Sequence, residues 1–272
     1  MNKTFGRALT GPKLRSPFVR VVGLNRYPVK SLQGEQLTQA TIEAAGLVGD
    51  RCWGIVEAES GKIWSAKRHG QLLEASATTT PDGPLITLPG GIEIAPDDNT
   101  RDAQLSQWLG CDVVLQAAAS DSEGVYEVSL QLDPDVEVFD MPMTPGRFLD
   151  LSPVHILTTA SLRAAAAAHP TGNWTTDRFR PSVVVDVEPD EGDGFLENAW
   201  LGSTVRAGEV ELEVILPTVR CAMTTRAQTP RDVERDLEVF KTLRRVNEQN
   251  LGVYANVRTP GVVRLGDPVA LV

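Results

Sequence analysis

The sequence predicts a mainly β protein with a few helices, of the α+β class, in two domains, the first an antiparallel barrel or sandwich. Three observations support this. Short runs rich in β-branched residues alternate apolar and polar positions with period two. Gly, Pro, Asp and Asn break these runs at short intervals, and helical periodicity is confined to three segments. A chain of 272 residues, 42% apolar and 23% charged, can fill one large or two smaller cores.

Residues 1–17 are expected to be a flexible tail, since Lys3, Arg7, Lys13 and Arg15 accompany no acidic residue and no continuous apolar stretch. Strands are expected at Phe18 to Val29, Gln39 to Ala45, Cys52 to Glu57, Leu72 to Thr78 and Pro84 to Ile94. Hairpin tips fall at Glu59-Ser60-Gly61-Lys62 and Pro89-Gly90-Gly91, where glycine supplies positive φ. Thr100 to Leu109 reads as a short helix stopped by Gly110, and Cys111 to Gln116 resumes a strand. The loop-like Ser120 to Glu123 places a boundary near residue 120, giving domains at 18–120 and 121–272. In the second, strands are expected at Val183 to Val187, Ser203 to Val205, Val210 to Leu216, Val253 to Val257 and Val262 to Leu265. Helices are expected at Ser161 to His169 and from about Asp232 to Glu248, the latter with Leu237, Phe240, Leu243 and Val246 on one face.

Composition narrows the function. No stretch approaches the roughly 18 apolar residues of a membrane-spanning helix, so no membrane partner is expected. A formal charge of −10 disfavours nucleic acid. Three widely spaced cysteines without a C-x-x-C pair suggest a cytoplasmic setting, and they are too few for a four-thiolate iron–sulfur cluster. The motifs G-x-x-x-x-G-K-[ST], G-x-S-x-G and H-E-x-x-H are missing, and His69, His155 and His169 lie far apart.

Two segments carry chemistry. Pro217 is expected to end the strand before Val219-Arg220-Cys221, leaving Cys221 on a loop where Arg220 and Arg226 favour its thiolate. Such a sulfur suits a thiophilic metal, although spacing alone equally allows a small packed residue. Pro28-Val29-Lys30-Ser31 ends an apolar run with an ammonium beside a hydroxyl, a pair able to meet a phosphate or simply to face water. Asp50-Arg51 and Arg178-Phe179-Arg180-Pro181 add guanidiniums beside strands.

Taken in order, Tyr27-Pro28-Val29-Lys30-Ser31, Gly49-Asp50-Arg51-Cys52-Trp53, Asp150-Leu151-Ser152-Pro153, Arg178-Phe179-Arg180-Pro181, Arg220-Cys221-Ala222-Met223-Thr224-Thr225, Leu243-Arg244-Arg245, Gly252-Val253-Tyr254 and Gly266-Asp267-Pro268-Val269 resemble the MOSC family. That family is named for the C-terminal domain of molybdenum-cofactor sulfurase; the likeness extends to its N-terminal β-barrel domain and is strongest to the amidoxime-reducing branch. The resemblance implies a Mo-molybdopterin cofactor whose phosphate is held by Lys30, Ser31 and Arg51, with Asp150, Ser152 and Arg180 lining the pterin or metal site. It makes Cys221 the metal ligand and catalytic thiolate, with Val219 and Arg220 beside it and Tyr254 near the cofactor. Leu151 and Ser182 stand at cofactor positions where the family carries threonine and asparagine, so hydrogen bonding there differs. The implied activity is reduction of small N-hydroxylated compounds, hydroxylamines or amidoximes, with electrons from an external ferredoxin-like or flavin reductase. Two other roles stay open: sulfur transfer through a Cys221 persulfide, and non-catalytic carriage of molybdopterin.

Overall fold

Alternating apolar residues give the chain strands with one buried face, and an eight-stranded sheet collects most of them. In a computed structural model that describes residues 19–119, 125–128, 139–142, 146–190 and 192–272, its order is Val269–Leu271, Thr204–Ala207, Val210–Val219, Asn250–Thr259, Val154–Thr158, Val183–Asp186, Arg20–Arg26, Glu35–Gln36. The expected tail at 1–17, Phe18 and the loop at 120–123 with its boundary lie outside the described residues. Among the sheet pairings only Val154–Thr158 with Val183–Asp186 is parallel, and the helix Thr159–Ala168 lies in that connection, as a parallel crossover requires.

The expected α+β, strand-dominated class is what the chain adopts. Its interior divides into separate cores. Val21, Leu24, Ile42, Val154, Ile156, Val185, Leu212, Val214 and Val253 pack with Trp200 in the core of the large sheet. Val29, Leu32, Ile55, Leu72, Leu73, Ile86, Leu105 and Leu115 form a second core among residues 29–115. Leu157, Trp174, Phe179, Val239, Leu243 and Leu251 form a third, beneath the helices. Val19, Val21, Leu24, Ala40, Ile42 and Leu47 therefore pack with the C-terminal half, and Gly261–Arg264 pairs with Gln39–Glu43 to reinforce this, while Val29 and Leu32 between them belong to the second core.

Several boundaries differ from expectation. The run expected as one strand from Phe18 to Val29 leaves the sheet after Arg26, because Val29 and Leu32 enter the second core. Leu72 and Leu73 lie in a 3₁₀ turn, Gly70–Glu74, and the strand starts at Ser76. Pro84 to Ile94 folds back at Gly90 and Gly91, both at positive φ, into Gly83–Leu88 and Ile92–Ile94. Val154–Thr158 is an unexpected strand, buried on both faces. The last helix starts only at Glu238, since Asp232 is left-handed and Val233 bridges back to Gln228. Its buried stripe is Val239, Phe240, Thr242 and Leu243, while Leu237 and Val246 face solvent. Pro217 does not end its strand: it pairs with Val253 between register shifts, and bulges tolerate a residue without an N–H. The strand stops at Val219, which still leaves Cys221 just beyond it.

Candidate functional site

The site forms where the chain passes between cores. After Arg26 the backbone leaves the large sheet, and Lys30 and Ser31 fall between Val29 and Leu32 of the second core. Asp50 and Arg51 make the second passage, between Leu47 and Ile55. Asp150 and Ser152 precede Val154, Arg180 and Ser182 precede Val183, and Arg220 follows Val219. Ser31, Arg51 and Arg180 each adopt positive φ, at 70°, 50° and 55°. Non-glycine residues in that region carry strain, and such residues cluster at ligand sites.

These passages line one cleft, part of it open to solvent. Lys30, Ser31, Arg51, Asp150, Ser152, Arg180, Ser182, Arg220 and Tyr254, all expected from sequence, line it. Leu151 and Val219 are not brought in. Both are exposed, Val219 because strand alternation turns its neighbour Thr218 inward and Val219 out, and Leu151 because Asp150 and Ser152 take the inward positions on either side. Cys221 lies between Arg220 and Met223, which both line the cleft, and it is a half-buried free thiol at the start of the 3₁₀ turn Ala222–Thr225.

Polar contacts fix the wall. Lys30 Nζ donates to Asp150 Oδ1 at 2.7 Å and to Phe148 O at 3.0 Å, and Lys67 Nζ approaches the same carboxylate oxygen at 3.6 Å. Ser31 Oγ accepts from Ala66 N at 2.9 Å, which leaves its own hydroxyl proton to be donated elsewhere. Arg51 pairs with Asp50, whose other oxygen accepts the Tyr27 N–H at 2.7 Å. Arg180 Nη1 donates to Leu32 O at 2.7 Å, and Arg220 Nη2 to Phe179 O at 2.8 Å. Ser152 Oγ donates to Ala255 O at 2.8 Å.

The electrostatics are lopsided. Lys30, Arg51, Lys67, Arg180 and Arg220 line the cleft, and Asp150 is its one carboxylate among the described residues. Burial lowers the Lys30 pKa, which Asp150 partly restores. Burial acts to raise Asp150, but Lys30 and Lys67 outweigh it and hold that carboxyl far below the usual range. Arg180 and Arg220 are only 5% and 6% exposed, and among the described residues neither has a carboxylate within ion-pair distance. Burial brings Arg180 down to about 10 and also lowers Arg220, whose buried Nε has no partner. A chain with net charge −10 thus gathers five cations around one cavity. Unpaired buried guanidiniums are costly, and an anionic ligand removes the cost.

Sequence reasoning missed Ser65, Lys67, Met223 and His155. Ser65-Ala66-Lys67-Arg68 has no local signature beyond adjacent cations, and His155 looked isolated because its partners are remote. Its ring nitrogens face Arg180 O at 3.4 Å and Leu251 O at 3.3 Å, and burial together with the Arg220 charge keeps it neutral. Arg178, which looked like another anion contact, is structural. Fully buried, it donates to Asn173 O, Thr224 O and Glu234 O at 2.8, 2.8 and 2.9 Å, bracing the turn after Cys221. Arg226 ties that turn to the opposite wall through Lys67 O at 2.6 Å.

The Cys221 side chain lies within electrostatic range of Arg220, Arg226 and Tyr254. Among the described residues no three His, Cys, Asp or Glu side chains converge on a metal position, so a metal at Cys221 would take its other donors from a bound organic group. Family comparison matches residues 18–123 to the MOSC N-terminal beta barrel domain and residues 145–270 to the MOSC domain. The chain is a MOSC-domain protein. Its curated relatives include mitochondrial amidoxime-reducing component 1 of Mus musculus, 28% identical across 90% of this chain and 80% of that one. Mitochondrial amidoxime reducing component 2 of Bos taurus is 26% identical across 89% and 80%, and component 1 of Homo sapiens 26% across 90% and 80%. In this MOSC protein the first matched segment supplies Lys30, Arg51 and Lys67 to the cleft and the second supplies Asp150, Arg180 and Arg220, with Cys221 next to Arg220 but not itself in the lining, so the cleft needs both.

Proposed function

We propose that the cleft holds the phosphorylated pterin of a molybdenum cofactor and that the protein is an oxidoreductase acting on N-hydroxylated compounds such as amidoximes or hydroxylamines. The observation that carries this reading is the pair of buried guanidiniums, Arg180 and Arg220, without carboxylate partners beside Lys30, Arg51 and Lys67. An anionic cofactor as a whole would supply the missing charge, and charge-assisted bonds to its phosphate are strong. The residues fit the group: Lys30, Lys67, Arg51 and the Ser31 hydroxyl would take the phosphate, and Arg180, Ser152 and Ser182 the pterin. Cys221 would be the protein's own metal donor, the cofactor's dithiolene sulfurs completing the set.

Bound there, the group would supply two-electron oxygen-atom transfer, which the protein orients rather than performs. Conversion of an N–OH group to N–H with release of water consumes two electrons and two protons. Tyr254 Oη keeps its proton at neutral pH, because burial raises its pKa, and so can donate a hydrogen bond into the cleft. Neutral His155 backs the same wall, its ring 5.7 Å from that of Tyr254. Electrons are assigned to a separate ferredoxin-like or flavin reductase. The names of the curated relatives support the amidoxime assignment.

Purification from a molybdate-supplied host, with metal analysis and pterin fluorescence after acid oxidation, tests the reading. About one molybdenum and one pterin per chain, with benzamidoxime reduction by reduced viologen, is expected. Protein lacking both metal and pterin would overturn it. Cyanide-labile sulfur on Cys221 without molybdenum would instead establish the persulfide route.

A further inference from the structure

Tyr27 sits beneath the cleft and touches two of its cations. The Arg180 guanidinium carbon lies 4.0 Å from the centroid of its ring and that of Arg51 4.8 Å. We propose that Tyr27 is a positioning residue whose aromatic ring holds these two guanidiniums together at the anion site. This rests on the anion-cleft reading above.

Two like charges gathered near one point repel each other, and each sits on a long side chain that loses rotamer freedom when fixed. The negative face of an aromatic ring offsets both costs, most strongly in a desolvated setting. The ring is itself pinned. Tyr27 is 4% exposed, its N–H donates to Asp50 Oδ1 at 2.7 Å and its carbonyl accepts from Arg51 N at 2.7 Å. Gly34 leaves the space its edge occupies, since a Cβ there would stand 2.6 Å from Tyr27 Cδ1. Arg51 has a second anchor in Asp50 and Arg180 in Leu32 O, so each guanidinium is held by one polar contact and by the shared ring. Arg51 and Arg180 come from passages about 130 residues apart in the chain, and Tyr27 is the side chain stacked against both.

The test is sulfate binding to the cofactor-free full chain by calorimetry at constant ionic strength, with sulfate chosen because it does not titrate near neutrality. Tyr27→Phe keeps the ring and is expected to stay within about twofold of wild type. Tyr27→Leu is expected to bind at least about tenfold more weakly, equivalent to about 1.4 kcal/mol. In an Arg51→Gln/Arg180→Gln background the same Tyr27→Leu change should cost nothing further, which a general loss of structure would not reproduce. If Tyr27→Leu does not fold, a series of progressively fluorinated phenylalanines at position 27 weakens the ring face at nearly constant shape, and affinity should fall stepwise along it. Equal affinity for Leu and wild type, loss in Phe equal to that in Leu, an undiminished Leu effect in the double-Gln background, or a flat fluorination series would each overturn the proposal. A wild-type chain that binds no sulfate would overturn the cleft reading with it, whereas normal wild-type binding with an unaffected Leu variant removes only Tyr27.

Discussion

Replacing Arg220 by Met should make the ligand-free protein more stable and the anion-bound protein less so. Arg220 is 6% exposed, donates one hydrogen bond to Phe179 O at 2.8 Å, and stands 5.6 Å from the Phe179 ring centroid. Losing these contacts costs about 1–1.5 kcal/mol for the hydrogen bond and about 0.5–1 kcal/mol for the ring contact. Against that, the variant removes a buried cation with no carboxylate partner and an unsatisfied Nε. Such an ion carries an effective penalty of several kcal/mol, and a methionine of similar length fills the space. The net is about 1–3 kcal/mol in favour of the variant, or roughly 2–10 °C in Tm for a chain of this size. With sulfate at about 100 times its Kd, wild type should gain about 2.7 kcal/mol and the variant much less, so the order of Tm values narrows or reverses. Calorimetric scans at pH 7 with and without sulfate read both states. An Arg220→Met protein more than about 1 kcal/mol less stable than wild type without anion would refute the argument, since the guanidinium would then be a net structural element.

Cys221→Ser should abolish molybdenum retention while Cys52→Ser and Cys111→Ser retain about one metal per chain, as read by elemental analysis. Gly252→Ala should destabilise by roughly 2 kcal/mol or more: φ is +85° and a Cβ would stand 2.3 Å from His155 Nε2, so thermal unfolding should shift down and sulfate affinity with it. Glu197 is fully buried, accepts from Thr158 Oγ1 at 2.6 Å and Ser161 Oγ at 2.5 Å, and burial raises its pKa above the ordinary glutamate value. A carboxyl raised in the folded state contributes stability that is complete below its unfolded pKa and is lost as pH rises through the folded value. As pH rises from below the ordinary glutamate pKa to above it, the urea midpoint of wild type should therefore fall relative to that of Glu197→Gln, and parallel midpoints would contradict it.

Much of the site was legible in short segments. Lys30-Ser31, Arg51, Asp150, Arg180 and Arg220 were recognisable because each places a charged or polar group beside a strand end, and their order along the chain matched one family. Lys67 and His155 were not, since nothing in Ser65-Ala66-Lys67-Arg68 or in a solitary histidine says which remote groups it will meet. Leu151 and Val219 were misplaced for a related reason. Adjacent residues in extended chain point opposite ways, so membership of a motif does not put a side chain in the cavity. Arg178 and Arg180 show the same effect, one bracing a turn from beneath and the other lining the cleft.

The alternation of apolar residues by itself determined that this would be a strand-dominated chain with short helices, because period-two patterning and local turn chemistry are properties of neighbouring residues. The ordered short motifs, in turn, pointed to the family. Only the tertiary structure decided that Arg20–Arg26 and Glu35–Gln36 join the sheet of the C-terminal half, that Pro217 sits inside a strand, and that five cations from both matched segments close on one cleft. The first and last of these depend on contacts between residues more than 100 positions apart, and the second on the pairing of Pro217 with Val253, none of which local patterning reports.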